Sequence, residues 1–180
     1  MDKQSLRRHI RALKQAQTPE QLAEWSDALA LRLESHPWFR VAQSVLLFTA
    51  LPDEPETRTL LTRHAQEKRI FLPAVIGDEL EIRRYRSPKD LQKGAFGIEE
   101  PVGEALSDLS ELELVLVPGV AFDREGHRLG RGRGYYDRLF AHQELRAYRL
   151  GYAFPFQILP RVPFEAHDVK MDDILLLNDL

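Results

Sequence analysis

The sequence predicts an α/β domain with a mostly parallel sheet behind a pair of amino-terminal helices. Short apolar runs of the buried-strand type, such as 44–49 and 113–119, alternate with segments of helical periodicity. Strands that alternate with helices usually pack as a parallel sheet with helices on its faces, which favours the α/β class. The 180 residues contain no repeat, low-complexity tract or convincing linker, so we expect a single domain, residues 1–180.

The two amino-terminal helices are predicted to form a helical hairpin. Residues 2–16 carry apolar residues at helical spacing, and Asp2 is placed to act as the N-cap. In the following TPEQ segment, Thr18 can cap a second helix. Pro19 suits the first position of that helix, and Gln21 completes a capping box.

The remaining elements are short strands and helices. The predicted strands are 44–49, 70–73, 80–85, 113–119, 148–153 and 172–177. Pro73 is expected to stop the second of these strands. One helix is predicted from Thr57 to about Lys68, and another from Tyr135 to about Gln143. Residues 87–104, rich in glycine and proline, are predicted to be irregular.

The composition excludes several kinds of site. The formal net charge is −3, so no global positive field favours nucleic acid or an anionic membrane. Cysteine is absent, which excludes disulfides, thiolate nucleophiles and cysteine-based zinc or iron–sulfur sites. The charged amino terminus lacks a signal-peptide core, and the apolar runs are too short to cross a bilayer. We expect a cytoplasmic protein without nucleic-acid or membrane partners.

The stretch RLGRGRGYYDRLF, residues 128–140, combines glycines, arginines and tyrosines between a predicted strand and a predicted helix. Ligands of open α/β sheets bind beyond the carboxyl ends of strands, and helix N-termini attract phosphate. Glycines let the backbone approach a ligand, and arginines offer cationic forks for phosphate or carboxylate oxygens. The paired tyrosines could stack on a planar ring or supply a hydroxyl group. The stretch therefore indicates an anion site.

Two alternatives stay open for this stretch. The GxGxxG motif does not fit, because its third glycine would fall on Tyr135. The Walker A motif does not fit either, because it needs a lysine and none lies between Lys93 and Lys170. The stretch can instead be a solvated Arg/Gly turn before an ordinary helix. It can also be an RNA-binding segment, although acidic residues interrupt it and the net charge is negative.

Carboxylates at three places in the sequence are candidate ligand groups. Asp137, in the first turn of a predicted helix, can complement the helix dipole or bind Mg²⁺ beside phosphates. A second metal ligand would come from HDVKMDD, where local sequence does not choose between Asp168, Asp172 and Asp173. Glu54 follows a buried strand and can bind an aminopterin-like ring or remain a surface residue.

A cationic face on the first predicted helix is a further candidate. Lys3 and Arg7 are four residues apart and therefore lie on the same side of the helix. With Arg8 they could reach an anion, although a solvated cationic face is the more common meaning of such a run.

Taken together, these stretches resemble the 5-formyltetrahydrofolate cyclo-ligase family, also called methenyltetrahydrofolate synthetases, over nearly the whole chain. The matching segments are KQSLR, LFTALPDEPET, FGIEEP, VPGVAFDREGHRLGRGRGYYDR and HDVKMD. The fourth segment carries every fixed position of the family's longest motif. The resemblance implies a Rossmann-like three-layer sandwich, in agreement with the order of strands and helices.

The resemblance also implies a reaction. An ATP- and Mg²⁺-dependent cyclisation would convert 5-formyltetrahydrofolate to 5,10-methenyltetrahydrofolate, with release of ADP and phosphate. The formyl oxygen would attack the γ-phosphate to give a phosphorylated imidate, and N10 would then displace phosphate. Phosphoryl transfer depends mainly on positioning and charge stabilisation, so such a loop suffices without a protein nucleophile. The expected enzyme is a monomer that takes its folate with or without a polyglutamate tail.

Residue roles carry over by position. The catalytic residues would be Arg131, Arg133 and Tyr135; relatives carry Lys or Gly at the position of Arg133. The ATP-binding residues would be Lys3, Arg7, Arg128, Gly130, Arg131, Gly132, Arg133, Gly134, Tyr135 and Tyr136. The folate-binding residues would be Thr49, Glu54, Arg131, Gly132, Arg133, Gly134 and Tyr135. Asp137 and Asp168 would hold Mg²⁺.

Three other functions compete with this one. A different α/β enzyme could use a similar loop on phosphorylated sugars or CoA esters, without folate dependence. A non-catalytic RNA-binding module would show a steep salt dependence and no ATP turnover. A relative that binds folate but regulates another process would bind pterin without forming the cyclised product.

Overall fold

A computed structural model describes residues 1–94 and 97–177, so Phe96 of the FGIEEP segment lies outside the described residues. The helices are α1 (Lys3–Gln15), α2 (Pro19–Ser35), α3 (Pro37–Val41), α4 (Arg58–His64) and α5 (Tyr135–Phe140). The strands are β1 (Ser44–Leu46), β2 (Arg69–Ile76), β3 (Glu79–Tyr85), β4 (Leu91–Lys93), β5 (Glu99–Pro101), β6 (Leu114–Val117), β7 (Ala121–Asp123), β8 (Arg128–Leu129), β9 (Tyr148–Gly151), β10 (Ile158–Leu159) and β11 (Asp173–Ile174).

The main sheet has six strands in the order β11-β9-β6-β1-β2-β3. Every neighbouring pair is parallel except β2 and β3, which form an antiparallel hairpin at one edge. Apolar residues of α2, α3 and α4 pack on one face of this sheet, and those of α5 pack on the other. The predicted α/β class, the mostly parallel sheet and the three layers are confirmed.

Both predicted amino-terminal helices are present, with their predicted caps. The Asp2 side chain accepts a hydrogen bond from the Ser5 amide (2.7 Å), and the Thr18 hydroxyl accepts one from the Gln21 amide (3.1 Å). The apolar side of α2 packs in the main core, whereas Leu6 and Ile10 of α1 pack against β7 and β8. The first helix is therefore fixed beside the chain that leads into the Arg/Gly stretch.

The prediction that Pro73 ends its strand is wrong, because β2 continues through Pro73 to Ile76. The Arg69 amide donates to the Gln43 carbonyl oxygen (2.7 Å), and the Leu47 amide donates to the Phe71 carbonyl oxygen (2.9 Å). The backbone N–H and C=O groups of the odd-numbered residues of β2 therefore point toward β1. Since β1 ends at Leu46, no strand residue remains opposite Pro73 on that side. The missing N–H group of proline therefore costs no ladder hydrogen bond.

Other boundaries also differ from the predictions. The helix predicted from Thr57 ends at His64 rather than near Lys68. Lys68 lies beyond the helix, and its ammonium donates hydrogen bonds to the carbonyl oxygens of Phe39 (2.7 Å) and Ala42 (2.6 Å). The last helix ends at Phe140, because the polar residues 142–144 give it no apolar face to bury.

Two small sheets were not predicted. The antiparallel pair of β4 and β5 lies within the stretch that was expected to be irregular. A three-stranded sheet, in the order β10-β7-β8, holds the chain on either side of residues 124–127. Strands of two or three residues are too short to show a hydrophobic period, so the sequence gives no sign of them. Within the described part of the chain, no helix has the length and apolar character needed to span a membrane.

Candidate functional site

A cavity of about 270 Å³ lies where α1, the Arg/Gly stretch and the segment before β11 meet. Its lining residues are Lys3, Arg7, Arg128, Leu129, Gly130, Arg131, Gly132, Arg133, Gly134, Tyr135, Tyr136, Asp137, His167 and Asp168. Every residue predicted to bind ATP or metal is among them. We call this space the cationic cavity, because five lysine or arginine side chains line it.

Helix α1 connects the walls of the cationic cavity. The Arg7 Nε–H group donates to the Gly130 carbonyl oxygen at 2.9 Å. The Lys3 ammonium donates to Asp168 Oδ2 at 3.1 Å and lies 3.6 Å from Glu165 Oε2. The helix therefore places two cations at the cavity and holds the Arg/Gly stretch through its backbone.

Arg128 supplies a cation that is already fixed in place. Its Nε–H group donates to the Pro118 carbonyl oxygen at 2.7 Å, and its guanidinium carbon lies 5.1 Å from the centroid of the Tyr136 ring. Burial lowers the pKa of Arg128 and raises the pKa of Tyr136. An arginine held in this way is preorganised for an anion.

Glycine is required at two positions of the stretch by backbone conformation. Gly132 has φ 108° and Gly134 has φ 72°, a region that residues with a Cβ atom rarely adopt. At Gly130 the effect is one of space, because a Cβ atom would lie 3.2 Å from the Arg128 guanidinium nitrogens and would make that group shift by a few tenths of an ångström. The alternation of glycine with arginine therefore folds the stretch back so that its side chains line one cavity.

Each tyrosine of the pair Tyr135 and Tyr136 lies against an arginine side chain. Tyr136 lies under Arg128, and the Tyr135 ring centroid lies 5.5 Å from the guanidinium carbon of Arg138. Arg138 also donates to the carbonyl oxygens of Asp78 (2.6 Å) and Arg133 (2.7 Å), which ties the stretch to the β2–β3 hairpin. Because α5 has only six residues, the attraction for an anion comes mainly from the arginine side chains.

The carboxylates that line the cationic cavity are Asp137 and Asp168. Burial would raise the pKa of Asp168, but hydrogen bonds from the Glu165 amide and the Lys3 ammonium outweigh it and lower the pKa. Carboxylate oxygens beside a phosphate site fit Mg²⁺, which prefers oxygen ligands. Asp168 also lies within 4.8 Å of possible ligand atoms of Glu165 and His167, although an imidazole suits a softer metal.

The other two aspartates of HDVKMDD are engaged elsewhere. Asp172 accepts a hydrogen bond from the Arg149 amide at 2.8 Å, at the edge of the main sheet. Asp173 lies in β11, with its Oδ2 atom 3.4 Å from His36 Nε2. Neither residue lines the cationic cavity, so the geometry favours Asp168 among the three candidates.

Glu54 lies on the loop after β1, and its side chain is only 8% exposed. Its Oε1 atom accepts a hydrogen bond from the Leu51 amide at 2.9 Å, and its Oε2 atom lies 3.7 Å from Arg131 Nη2. Desolvation raises the pKa of Glu54, and the Leu51 hydrogen bond and the Arg131 charge oppose this only in part. The structure therefore places Glu54 next to the cationic cavity, in contact with one of its arginines.

Thr49 lines a second cavity of about 230 Å³, which shares no lining residue with the first. Its other walls are Ala50, Glu56, Thr57, Arg58, Leu61, Thr62, Tyr85, Pro88, Leu91, Gln92, Lys93 and Glu99. The Thr49 hydroxyl is buried and has no hydrogen-bond partner among the described residues. The predicted folate-binding residues are thus divided: Thr49 faces this second cavity, residues 131–135 face the cationic cavity, and Glu54 lies on the loop that follows Thr49.

Sequence reasoning missed three side chains near the site. Asp53 contacts both Arg131 and Lys14, and Asp123 accepts the hydrogen bonds that shape the turn before Arg128. Lys14 could have been found, because it lies seven residues after Arg7 and so on the same face of α1. Nothing in the local sequence separates Asp53 or Asp123 from solvated aspartates.

Comparison with known proteins gives one family. The chain matches the model of the 5-formyltetrahydrofolate cyclo-ligase family over residues 1–177. A relative from Mus musculus, named 5-formyltetrahydrofolate cyclo-ligase, is 30% identical over 187 residues, which cover 96% of this chain and 92% of the relative. A relative of the same name from Escherichia coli strain K12 is 31% identical over 92% of this chain and 95% of its own length.

Solved structures agree with this result. The NMR structure of the 5,10-methenyltetrahydrofolate synthetase of Aquifex aeolicus superposes with a TM-score of 0.88 and 35% identity, over 99% of this chain and 91% of that chain. A 5,10-methenyltetrahydrofolate synthetase from Mycoplasma pneumoniae superposes with a TM-score of 0.78 over 97% of this chain and 98% of that chain. At 20% identity, the second likeness supports the fold alone.

Proposed function

Because the chain belongs to the 5-formyltetrahydrofolate cyclo-ligase family, and is an enzyme of that class, we propose that it cyclises 5-formyltetrahydrofolate to 5,10-methenyltetrahydrofolate at the expense of ATP. The products are ADP and phosphate, and a phosphorylated formyl group is the intermediate. The observation that carries this proposal is the convergence of Lys3, Arg7, Arg128, Arg131 and Arg133 on one cavity that also holds two aspartates.

The cationic cavity suits a nucleoside triphosphate. Its arginines offer several N–H groups to phosphate oxygens, and Arg128 is already fixed by the Pro118 carbonyl group and the Tyr136 ring. Among the described residues, no carboxylate pairs with the Arg133 guanidinium, so that group can turn to a phosphate without breaking an ion pair. The positive φ angles of Gly132 and Gly134 bend the backbone around the same space.

Phosphoryl transfer in this site needs charge and alignment rather than a protein nucleophile. The formyl oxygen attacks the γ-phosphorus, the bond to ADP breaks, and the new phosphate ester makes the formyl carbon electrophilic. N10 then attacks that carbon and loses its proton, and inorganic phosphate leaves with the electron pair of the carbon–oxygen bond and takes up that proton. Arg131 and Arg133 stabilise the charge on the transferred group, and Tyr135 borders the folate.

Mg²⁺ would be held by Asp137 and Asp168, and when bound it would neutralise part of the phosphate charge. The aspartates supply the oxygen donors that this ion prefers. Hydrogen bonds from the Glu165 amide and the Lys3 ammonium keep Asp168 ionised.

The folate would extend from Glu54 to the second cavity. A carboxylate that is desolvated and fixed by the Leu51 amide can accept hydrogen bonds from the amino and ring N–H groups of a pterin. The buried Thr49 hydroxyl, which has no partner in the described part of the chain, is available to a polar atom of the ligand.

Thr49→Val tests the second cavity. Valine keeps the shape of threonine but removes a hydroxyl that makes no hydrogen bond in the free protein, so stability is expected to stay within about 1 kcal/mol or to rise. The KM for 5-formyltetrahydrofolate should rise up to about tenfold, while the KM for ATP stays constant. Steady-state kinetics and thermal denaturation measure both effects. Lower stability with an unchanged folate KM would remove Thr49 from the folate site.

The reaction itself is tested by mixing the purified protein with 5-formyltetrahydrofolate, ATP and Mg²⁺ and following the near-ultraviolet absorbance of the methenyl product. We expect a rise that requires ATP and is abolished by EDTA. A folded protein that binds pterin without forming product would be a folate-binding relative. A protein that neither turns over nor binds folate would support the alternative of a phosphorylated sugar or CoA ester as substrate.

A further inference from the structure

Asp53 lies between two cations that come from different parts of the chain. Its Oδ1 atom accepts a hydrogen bond from Arg131 Nη2 at 2.7 Å. Its Oδ2 atom accepts one from the Lys14 ammonium at 3.4 Å. One carboxylate on the loop after β1 thus links α1 to the Arg/Gly stretch, and neither the family resemblance nor the local sequence assigns it a role.

We propose that Asp53 is a positioning residue for the cyclisation. It holds the Arg131 guanidinium beside Glu54, between the folate-binding loop and the cationic cavity, and Lys14 anchors the Asp53 carboxylate. The inference rests on the proposed function, because Arg131 is the arginine expected to stabilise the transferred phosphoryl group.

The need for such a residue follows from where Arg131 lies. It stands between Gly130 and Gly132, so its backbone gives its side chain little restraint, and 45% of that side chain is exposed. A long side chain without a fixed partner has many rotamers, and ordering it costs free energy at the moment when it has to act. The bond from Asp53 orders it before the substrates bind.

The burial of Lys14 supports a structural anchor rather than a chance surface contact. The Lys14 side chain is only 10% exposed, and in the described part of the chain Asp53 is the carboxylate that it contacts. Burial lowers the pKa of Lys14, and the Asp53 charge opposes this shift. A desolvated ammonium needs a carboxylate partner, so this contact restrains Lys14 and adds a second restraint on Asp53 beside the bond from Arg131.

The ionisation of Asp53 agrees with this arrangement. Burial alone would raise its pKa, but the hydrogen bond from Arg131 and the charge of Lys14 outweigh it and hold the pKa below its ordinary value. The charged groups that face Asp53 are Lys14 from α1, Arg131 from the Arg/Gly stretch, and Glu54 from its own loop. The carboxylate is therefore charged wherever the enzyme works near neutral pH.

Asp53→Asn is the first test. The amide keeps the shape but loses the charge that orients Arg131, so kcat/KM should fall roughly tenfold to a hundredfold, mostly in kcat. Asp53→Glu, which restores a carboxylate, should recover at least part of the loss. Glu111→Gln is a matched control, because it removes the carboxylate of a remote exposed pair with Arg69 (3.1 Å) and should leave turnover unchanged. Asp53→Asn also leaves the buried Lys14 ammonium without its carboxylate, so its Tm should fall, and assays well below the Tm of every variant separate positioning from unfolding.

A direct readout of Arg131 distinguishes this inference from the proposed function. The ¹⁵N relaxation of the Arg131 Nε–H group, identified by its loss in Arg131→Lys, should indicate an ordered side chain in the wild type and a mobile one in Asp53→Asn. A wild-type protein without turnover would refute the proposed function. An active wild type with an equally active Asp53→Asn variant, or an Arg131 side chain equally ordered in both, would refute the positioning role.

Lys14→Met tests the anchor. The thioether keeps the buried stem but removes the charge that helps to keep Asp53 ionised, so the Asp53 pKa should rise. The side-chain carboxyl ¹³C chemical shift of Asp53, followed against pH, measures that pKa directly, whereas the acid limb of kcat/KM also contains Glu54, whose own pKa is raised. At neutral pH the loss of kcat/KM should be smaller than in Asp53→Asn. An Asp53 titration that coincides in wild type and Lys14→Met would rule out the anchoring role.

Discussion

Arg131→Ala is expected to lower kcat about a thousandfold, which is the order of effect known for arginines that stabilise a transferred phosphoryl group. The Arg131 side chain lines the cationic cavity and lies 3.7 Å from Glu54, so it can reach both the phosphate and the folate half of the proposed site. Removing it leaves the charge of the transition state without this counter-charge. The KM for ATP should change far less, because Lys3, Arg7 and Arg128 remain.

The fold should survive this substitution. Arg131 is 45% exposed, and an exposed ion pair such as the one with Asp53 contributes only about 0–1 kcal/mol. Arg146→Ala, on the exposed turn after α5, is the matched control and should leave kcat unchanged. Added guanidinium ion should restore part of the activity of Arg131→Ala but not of an unfolded variant. Normal turnover with a normal melting curve would show that another residue stabilises the phosphoryl group.

The sequence predicts those parts of the site whose functional residues lie close together along the chain. The residues of the Arg/Gly stretch are contiguous, and glycine at positions 132 and 134 indicates the positive φ angles that the backbone adopts there. Lys3 and Arg7 are related by one turn of helix, which brings both to the same cavity. Glu54 is a candidate from its place directly after a buried strand, and resemblance to a family adds Thr49 and the choice of Asp168, because no local rule connects those positions.

The features that could not be predicted depend on which chain segments meet. The contact between Lys14 and Asp53 joins residues 39 positions apart, and that between Asp53 and Arg131 joins residues 78 apart. The second cavity needs the β4–β5 pair, whose short strands give no hydrophobic period. The path of β2 through Pro73 depends on the point at which β1 ends. None of these facts is present in any short window of sequence.

Asp123 is the clearest case of a residue whose local sequence misleads. Read as a sequence it is one of the acidic residues close to the Arg/Gly stretch, yet in the structure it is 1% exposed. It accepts hydrogen bonds from the amides of Glu125 (3.1 Å), His127 (3.0 Å) and Val162 (2.9 Å) and contacts the His127 Nδ1 atom at 3.0 Å. These bonds close the turn between β7 and β8 and so set the position at which Arg128 enters the cavity.

Asp123→Ala is therefore expected to lower the free energy of unfolding by about 3–5 kcal/mol, because it leaves several buried donors without an acceptor. For a domain of this size that corresponds to a fall in Tm of about 6–20 °C. The matched control is Asp108→Ala, since Asp108 also caps a turn, at Ser110, but is exposed and should cost only about 1 kcal/mol. Denaturant unfolding at neutral pH measures both. A loss below about 1 kcal/mol in Asp123→Ala would show that water replaces the carboxylate in the turn.

The pH dependence gives a second test of the same carboxylate. Burial would raise the pKa of Asp123, but the hydrogen bonds from the Val162 and His127 amides and the contact with His127 outweigh it, so the folded-state pKa is lowered. A lowered pKa means that the stabilisation is complete above the unfolded value of about 3.9 and is lost as the pH falls toward the folded value. The difference in stability between wild type and Asp123→Ala should thus be constant above about pH 5 and shrink in acid. A difference that grew on acidification would mean that the turn holds Asp123 in its protonated form.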